Sequence, residues 1–598
     1  MTVERNAVGI GEIEVAMRRC ADGAIHVGSD APLGDYPATF TTHLHHWAAA
    51  APTRIFMAQR DQAGAWRTLT YAAALDGARR IGAALLALGV SRERPIVILS
   101  GNDLEHALIG LAAYQIGVPY APISPAYALV SSDFGKLRHI LGKLTPGLVF
   151  VADGVAFAPA LAACMPPDAA LVATRNAPPG AHAFADLLAH ATDPRVEAAH
   201  AAVGPDTIAK ILFTSGSTGL PKGVVNTHRM LASNQAMIAA AMPFLANEPP
   251  VLLDWLPWNH TFGGNHNVGI VLANGGSYYI DEGKPTPGGI AATVRNLREI
   301  APSAYFNVPK GFESLVPHLR AEPELRARFF SRLQMLFYSG AGMPQHVWDA
   351  LDALAVEAGV APPPILTGLG ATETGPFALF TSRANARSGH VGLPVAGVAL
   401  KLAPNGDKLE AMVKSPSVTP GYWREPELTA QAFDHEGFYR LGDALRFVDE
   451  ADLAKGFAFD GRVSEDFKLG TGTWVSVGPL RARFIAHCAP LVRDVVIAGQ
   501  DRDEVCALVF RDEEACAQYG DAQAVRARFA QLLADFARTS TGSSTRIARA
   551  VLLDEPPSID AGEITDKGSI NQRAVITRRA ALVEALYATP RDGDVIAA

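Results

Sequence analysis

The sequence predicts an α/β protein with a large N-terminal domain, residues 1–461, and a small α+β domain, residues 462–598. Its 598 residues exceed what one hydrophobic core normally holds, so at least two domains are expected. Between residues 95 and 152, apolar strand-like runs alternate with helical segments, which is typical of a parallel sheet covered on both faces. Near Asp460-Gly461-Arg462 the pattern changes to short elements, which marks the start of the small domain.

The composition indicates an ordinary globular protein and argues against two classes of partner. Hydrophobic residues make up 49% of the chain, charged residues 19%, and the formal net charge is -8. Because the sequence has no dense run of Lys and Arg, we expect neither a nucleic acid nor a membrane as a partner. The first twenty residues lack the apolar core of a secretory signal, and the longest apolar stretches are short or are broken by Gly, Gln and Pro. We therefore expect a soluble cytoplasmic protein.

The elements of the large domain follow from the spacing of its apolar residues. Thr70 is a suitable N-cap for a helix that ends at Gly89. Residues up to Gly34 lack periodicity and are expected to drape over the body or stay mobile, and residues 155–200 are expected to form connecting helices and loops. The remaining segments are predicted as strands at 66–70, 95–100, 118–123, 147–152, 251–257, 333–339 and 365–367 and a helix at 104–116.

Two sets of residues that often bind metals are interpreted as structural. The five cysteines are scattered without a C-x-x-C pair, which predicts reduced, mostly buried thiols. His43, His45 and His46 either bind a metal or lie at the start of a helix capped by Thr41 or Thr42. The helix is favoured because no carboxylate or cysteine pattern accompanies the histidines.

A loop rich in glycine and hydroxyl groups follows the apolar run 211–213. Glycines let the backbone approach a ligand, hydroxyls add donors and a lysine adds positive charge, as a polyphosphate requires. A Walker A loop is excluded, because Pro221 precedes Lys222 and Gly223 follows it. The loop residues predicted to bind phosphate are Thr214, Ser215, Gly216, Ser217, Thr218, Gly219 and Lys222.

Further candidate ligand residues follow predicted strands. His260 lines a ligand pocket or is a structural histidine, and the residues alone leave both open. Glu373, among small residues, either binds a magnesium ion that is also held by phosphates or caps a helix. Asp443 either accepts hydrogen bonds from ribose hydroxyls or caps a turn. Lys310 is interpreted as a surface lysine.

The small domain is predicted from a second series of periodic segments. Its strands are expected at 492–498, 504–510 and 548–553. Its helices are expected at 479–486, at 522–538 and after Gly568.

Four motifs together resemble the adenylate-forming acyl-CoA synthetases. In order and spacing they are the segment 213–223, Gly370-Ala371-Thr372-Glu373, Tyr439-Arg440-Leu441-Gly442-Asp443 and Gly461-Arg462. Segments 461–478 and 562–573 look most like those of bacterial feruloyl-CoA synthases. The resemblance implies a large N-terminal domain of several sheets and a small domain that is mobile. It also implies that a carboxylic acid and ATP form an acyl-adenylate, from which CoA takes the acyl group.

The resemblance assigns a role to each candidate residue. It implies that Glu373 binds Mg²⁺, Thr372 contacts the α-phosphate, and His260 stands between the substrate carboxylate and the CoA tunnel. Lys567 would bridge the substrate carboxylate and the α-phosphate as the principal catalytic lysine. The loop with Lys222 would hold the β- and γ-phosphates, and the other cofactor-binding residues would be Gly340, Ala341, Gly368, Leu369, Gly370, Asp443, Arg462 and Lys468, with Gly340 and Gly368 also forming a wall of the acyl pocket.

Four departures from the family pattern concern the adenine site, the hinge, the last motif and Lys310. Lys310 follows Asn307-Val308-Pro309 where a second proline is common, and it lies either near the expected pocket or, as we favour, at the surface. Leu369 stands where an aromatic residue usually stacks on adenine, and Ser464 stands where the family has an Asp or Lys hinge. Asp566-Lys567-Gly568 replaces the usual Gly-Lys.

The expected activity is that of a CoA ligase for a hydroxycinnamate such as ferulate. The alternatives are a ligase for another aryl or fatty acid, an enzyme that loads a carrier protein, and a nucleotide-binding protein without turnover.

Overall fold

The computed structural model describes residues 8–29, 31–215, 220–566, 568–589 and 593–598. In this part of the chain, no helix has the length and apolar character needed to cross a bilayer. The five cysteines are free, and Cys488, Cys506 and Cys516 among them are buried, in agreement with the prediction of reduced structural thiols.

The large domain contains three sheets. Its strands are β1 (Ala16–Arg19), β2 (Ile25–Gly28), β3 (Ile55–Arg60), β4 (Trp66–Thr70), β5 (Ile96–Leu99), β6 (Tyr120–Pro122), β7 (Leu148–Asp153), β8 (Ala170–Arg175), β9 (His182–Ala183), β10 (Ile208–Ser215), β11 (Pro221–Thr227), β12 (Val251–Asp254), β13 (Ser277–Ile280), β14 (Ala304–Asn307), β15 (Met335–Tyr338), β16 (Ile365–Leu369), β17 (Leu379–Phe380), β18 (His390–Pro394), β19 (Ala399–Asn405), β20 (Lys408–Lys414), β21 (Tyr439–Phe447) and β22 (Phe457–Arg462).

Helices cover these sheets and connect their strands. They are α1 (Thr41–Ala50), α2 (Tyr71–Ala87), α3 (Leu104–Ile116), α4 (Ala126–Leu129), α5 (Gly135–Leu144), α6 (Ala158–Cys164), α7 (Phe184–Leu188), α8 (Pro194–Ala201), α9 (His228–Ala241), α10 (Val268–Asn274), α11 (Ile290–Leu297), α12 (Pro309–Ala321), α13 (Pro323–Phe330), α14 (Gln345–Glu357) and α15 (Pro426–Ala432).

The first sheet confirms the predicted parallel arrangement. Its order is β11-β10-β6-β5-β7-β8-β9, and all neighbours are parallel except the edge pair β10 and β11. The second sheet, β12-β13-β3-β4, is parallel except where β3 meets β4. The third sheet runs β1-β2-β19-β20-β21-β22-β18-β17-β16-β15-β14, with β14, β15 and β16 parallel. The α/β class and the multi-sheet large domain are thus confirmed.

The small domain has its own sheet and its own core. Its strands are β23 (Phe467–Lys468), β24 (Trp474–Val475), β25 (Val492–Ala498), β26 (Val505–Arg511), β27 (Ile547–Leu553) and β28 (Ile596–Ala597), and its helices are α16 (Val477–Cys488), α17 (Glu513–Tyr519), α18 (Ala522–Arg538), α19 (Gln572–Arg578) and α20 (Ala580–Tyr587). The last strand of the large domain ends at Arg462, and the separate apolar core begins with Phe467. The boundary between residues 461 and 462 stays a prediction.

Several local predictions were wrong. The segment before Gly34 contains the paired strands β1 and β2, and β2 extends the third sheet by pairing with β19. These strands are four residues each, too short for an alternating pattern to be recognised. Residues 155–200 include the strands β8 and β9, where alanine lowers the strand propensity. The N-cap of α1 is Phe40, without a side-chain cap, rather than Thr41 or Thr42.

A buried ion pair stabilises the segment of the small domain that precedes α19. Glu563 is fully buried, and its two oxygens accept hydrogen bonds from the Arg579 guanidinium at 2.7 and 3.0 Å. Its Oε2 also accepts one from the Ser558 backbone N–H at 3.0 Å. The pair therefore fixes the loop 558–566 against the helical end of the domain.

We expect Glu563→Ala to destabilise the small domain by about 3 to 5 kcal/mol, because it leaves the buried Arg579 guanidinium without its carboxylate. The measurement is the unfolding free energy of the small-domain transition in the full chain. Glu513→Ala is the matched control, since the Glu513 side chain is 70% exposed and pairs with the partly buried Arg511; we expect it to change that free energy by less than about 1 kcal/mol. Equal effects of the two substitutions would contradict the interpretation.

Candidate active site

The predicted phosphate loop connects the two antiparallel edge strands of the first sheet. Thr214 on β10 pairs with Lys222 on β11, so the loop is the tip of a hairpin. A Walker A loop connects a strand to a helix, whereas this loop connects two strands. The topology therefore excludes a Walker A loop, as the sequence does. The Thr214 hydroxyl is buried and has no hydrogen-bond partner among the described residues. Gly216, Ser217, Thr218 and Gly219 lie outside the described residues, as does the side chain of Ser215.

The Glu373 carboxylate lies where several segments of the large domain meet. It belongs to the short 3-10 turn Thr372–Thr374, which follows β16, and it is 5% exposed. The Tyr422 hydroxyl donates to Glu373 Oε1 at 3.0 Å, and the Lys222 ammonium lies 3.3 Å from the same oxygen. Lys222 also donates to the Tyr422 hydroxyl at 2.6 Å. The side chain therefore faces the predicted phosphate loop.

Two buried tyrosines complete the surroundings of Glu373. The Tyr422 and Tyr439 hydroxyls are 3.1 Å apart. Burial and, next, the Glu373 charge raise the pKa of both phenols well above the usual value, so both keep their protons. The Tyr422 phenol consequently serves as a hydrogen-bond donor to the carboxylate. Neither tyrosine was singled out as a partner of Glu373 in the sequence, because their contacts join distant positions.

Glu373 fits a magnesium ion that is shared with phosphates. In the described part of the chain, no three His, Cys, Asp or Glu side chains form a cluster that could hold a metal alone. Magnesium often binds one or two carboxylates, with phosphate oxygens and waters filling the other positions. A single carboxylate that contacts Lys222 of the predicted phosphate loop matches that chemistry.

Asp443 is a buried carboxylate with unused hydrogen-bonding capacity. It lies within β21, is 7% exposed and pairs in register with Arg462 on β22. Arg462 Nε is 3.4 Å from Asp443 Oδ1, yet this oxygen accepts no hydrogen bond from the described residues. Burial raises the pKa of Asp443 to about 6, against the opposing effect of Arg462. A buried acceptor of this kind fits a ligand hydroxyl better than a turn cap.

The carboxyl ends of β15 and β16 carry the remaining predicted nucleotide residues. Gly340 has a φ of 88°, a conformation that favours glycine, and it follows β15 with the exposed Ala341. Gly368 lies on β16, where a Cβ atom would come within 2.5 Å of the Leu379 carbonyl oxygen of β17. Leu369 is partly exposed and Thr372 is buried. Since β14, β15 and β16 are parallel, their ends form one edge at which such loops converge.

His260 lies on the large domain opposite a segment of the small domain. Its Nε2 is 3.2 Å from Asp566 Oδ2, and the two side chains are 12% and 8% exposed. Asp566 directly precedes Lys567, which lies outside the described residues. The predicted catalytic lysine thus follows a residue that contacts the predicted pocket histidine.

Two other candidate lysines, Lys468 and Lys310, are exposed. Lys468 is exposed on β23, with its ammonium 5.0 Å from the centroid of the Trp474 ring. Lys310 is exposed and pairs with Glu313 on the same helix, as a surface lysine does.

We expect Asp443→Asn to stabilise the protein without ligand by about 2 to 3 kcal/mol at pH 8, because it removes a carboxylate that is buried in its charged form. The folded-state pKa of Asp443 is raised, so the free-energy cost of burying its charge is complete above about pH 6. This cost disappears as the pH falls below the pKa of the aspartate in the unfolded chain. The gain in unfolding free energy should therefore shrink between pH 7 and pH 5. Asp407→Asn, at an exposed aspartate in the turn between β19 and β20, is the control; a pH-independent effect of Asp443→Asn would contradict the account.

Comparisons with known proteins identify the family. Residues 44–423 match the family described as AMP-binding enzyme, and residues 468–591 match the AMP-binding enzyme C-terminal domain. A carboxylic acid reductase of Segniliparus rugosus is 26% identical over 64% of this chain, and the chain spans only 33% of the length of that reductase. The 4-coumarate–CoA ligase 2 of Oryza sativa subsp. japonica is 28% identical, over 79% of this chain and 83% of that protein.

The fold comparison agrees with the family matches. The crystal structure of ATP-bound MatB from Rhodopseudomonas palustris aligns with a TM-score of 0.68 at 22% identity, covering 90% of this chain and 99% of that one. The large domain, with its convergent loops, and the small domain with its own core therefore have known counterparts. The chain belongs to the AMP-binding enzyme family.

Proposed function

We propose that the protein is an AMP-forming acid–CoA ligase. A carboxylic acid attacks the α-phosphorus of ATP to give an acyl-adenylate and pyrophosphate, and the CoA thiol then displaces AMP to give a thioester. The observation that carries the proposal is the meeting of Lys222 and Glu373 beside the predicted phosphate loop in a chain of the AMP-binding family. The names of several relatives, among them 4-coumarate, benzoate and anthranilate CoA ligases, support it.

The first half-reaction brings two anions together, so positive charge and oriented donors should supply most of the catalysis. Lys222 and the loop that begins at Thr214 hold the β- and γ-phosphates, and Thr372 contacts the α-phosphate. Glu373 holds Mg²⁺, which neutralises phosphate charge when it is bound. Before the nucleotide binds, Lys222 and Glu373 pair with each other at 3.3 Å. Each group therefore has a partner of opposite charge in both states, which avoids an unpaired buried charge.

The nucleoside would bind along the edge where the parallel strands end. The unused Oδ1 of Asp443 accepts a ribose hydroxyl, with Arg462 nearby. Gly340, Ala341 and Gly368 to Gly370 surround the adenine, which packs on the aliphatic side chain of Leu369. His260 stands at the acyl pocket, and Lys468 belongs to the cofactor-binding set on the small domain.

For the acyl group we propose a hydroxycinnamate such as ferulate. The proposal rests on the resemblance of segments 461–478 and 562–573 to feruloyl-CoA synthases, and relatives that are named for aromatic acids support an aryl substrate. A relative named as a long-chain fatty acid ligase, 26% identical over 92% of this chain, represents the main alternative substrate.

The test is a comparison of kcat/KM for ferulate, coumarate, caffeate, benzoate and a long-chain fatty acid with ATP, Mg²⁺ and CoA. We expect the hydroxycinnamates to exceed the fatty acid by at least ~10²-fold, because a pocket shaped for a planar ring excludes a flexible chain. Among the hydroxycinnamates, differences of about 10- to 200-fold are expected, since one small substituent is worth roughly that much. A preference for the fatty acid would contradict the feruloyl assignment.

A second candidate function is the loading of a carrier protein. It is favoured by the match to the adenylation part of a carboxylic acid reductase, a protein that also has a carrier segment in the structure of its A-PCP didomain. Product formation that requires free CoA supports the ligase. Pyrophosphate release without any CoA-dependent product would favour the carrier-loading enzyme, and a protein that binds ATP without pyrophosphate release would be a nucleotide-binding homologue.

We expect Lys567→Ala to slow adenylation by roughly 10²-fold or more, the usual loss for one preorganised donor to a charged transition state. Thioester formation from a supplied acyl-adenylate should be largely spared, because the lysine acts on the first half-reaction. Arg573→Ala, at an exposed position on α19, is the control for loss of one charge and should leave both rates within about 2-fold. Equal losses in both half-reactions of Lys567→Ala would contradict this role.

A further inference from the structure

The Asp566 carboxylate is a small-domain group that is enclosed by side chains of the large domain. Its Oδ2 is 3.2 Å from His260 Nε2 and accepts a hydrogen bond from the Asn259 amide, also at 3.2 Å. Its Oδ1 accepts a longer hydrogen bond from the Tyr127 hydroxyl at 3.5 Å. Both oxygens therefore contact the large domain, across more than 300 positions of sequence.

Charged and titratable groups of the large domain lie close to Asp566. The Lys136 ammonium donates to the Ile559 carbonyl oxygen at 2.7 Å, and its charge acts on Asp566. Burial and, next, the Asp566 charge raise the pKa of the Tyr127 phenol, which keeps its proton and stays a donor. Asp560 lies on the same segment and accepts hydrogen bonds from Ser132 at 2.7 and 3.0 Å.

We propose that Asp566 is a positioning residue that holds the small domain closed over the active site for the first half-reaction and must release His260 before the second. The inference rests on the proposed two-step function. Hydrogen bonds to a charged group are stronger than neutral ones, so the two donors Asn259 and Tyr127 on this carboxylate favour the closed arrangement, with His260 in contact beside them. A glycine at this position, as the family motif has, offers no such contact, and the closure contact belongs to this chain.

The contact of Asp566 with His260 affects the reaction as well as the docking of the small domain on the large domain. The carboxylate engages His260, the residue at the proposed acyl pocket. Closure by this carboxylate therefore positions His260, and opening releases it.

The test compares the two half-reactions of Asp566→Ala and Asp566→Asn in the full chain. Pyrophosphate release with ferulate, ATP and Mg²⁺ measures the first, and thioester formation from feruloyl-adenylate and CoA measures the second. We expect Asp566→Ala to slow the first by about 10-fold or more and to leave the second unchanged or faster. Asp566→Asn keeps one acceptor oxygen and should lose less. Equal slowing of both half-reactions, or no slowing of the first, would overturn the proposal.

Asp560→Ala is the matched control, because it removes a carboxylate of the same docking segment that contacts Ser132 rather than His260. It should slow the first half-reaction by less than about 3-fold. The same loss as Asp566→Ala would show that any contact between the domains has this effect and would overturn the specific role of Asp566.

A measurement without turnover separates this proposal from the proposed function. Spin labels at the exposed positions Val155 and Tyr519 report the distance between the domains, after Cys20 and Cys164 are replaced by serine. In the unliganded protein, Asp566→Ala should broaden the distance distribution or shift it, whatever substrate the enzyme uses. An unchanged distribution would overturn the proposal, whereas wild-type protein that releases no pyrophosphate with any acid would overturn only the proposed function.

Discussion

The buried Glu373 carboxylate is the constraint on which the active-site region depends. A buried carboxylate is costly unless charged and hydrogen-bonding groups surround it, and here Lys222, Tyr422 and the nearby Tyr439 come from separate segments. Its backbone oxygen also accepts a hydrogen bond from the Thr419 N–H at 2.8 Å. The edge hairpin of the first sheet is thereby joined to the turn that follows β16 of the third sheet. Lys222, on the second strand of the hairpin, consequently lies beside the turn that follows β16.

Local patterns predicted the elements that depend on local physics. The helix α3 and the helix α18 begin and end at the expected residues, because an Asp caps each and the apolar positions recur at helical spacing. The parallel strands of the first sheet were predicted because each is a short apolar run between turn residues. By contrast, β1 and β2 depend on a partner strand about 370 residues away, and no local signal shows such pairing.

The same distinction applies to the site. Glu373 and Asp443 could be predicted, since each is an isolated carboxylate beside glycines in a motif with recognisable spacing. Their surroundings could not, because the contact between Glu373 and Tyr422 and the unused oxygen of Asp443 arise only when distant segments pack. In the sequence, Asp566 is recognisable only as a departure from the family motif. The structure shows that its carboxylate contacts His260.

The segment after Arg462 shows how the two domains are connected. Asp466 forms an ion pair with Lys408 of the large domain, and its Oδ1 accepts a hydrogen bond from the Val477 N–H at 2.8 Å, at the start of α16. The sequence left the pivot open because Ser464 replaces the usual hinge residue. Lys408 and Asp466 supply a fixed point next to it, so a rotation of the small domain would take place beside this ion pair.

The central claim is that the acid's carboxylate attacks the α-phosphorus of ATP. Ferulate labelled with ¹⁸O in its carboxylate tests it most directly, because the oxygen that attacks stays with the phosphorus when the acyl group leaves for CoA. The account predicts one ¹⁸O atom in each AMP formed, detected by mass spectrometry, and none in pyrophosphate. The second ¹⁸O atom in pyrophosphate, orthophosphate or water, instead of in AMP, would contradict the account.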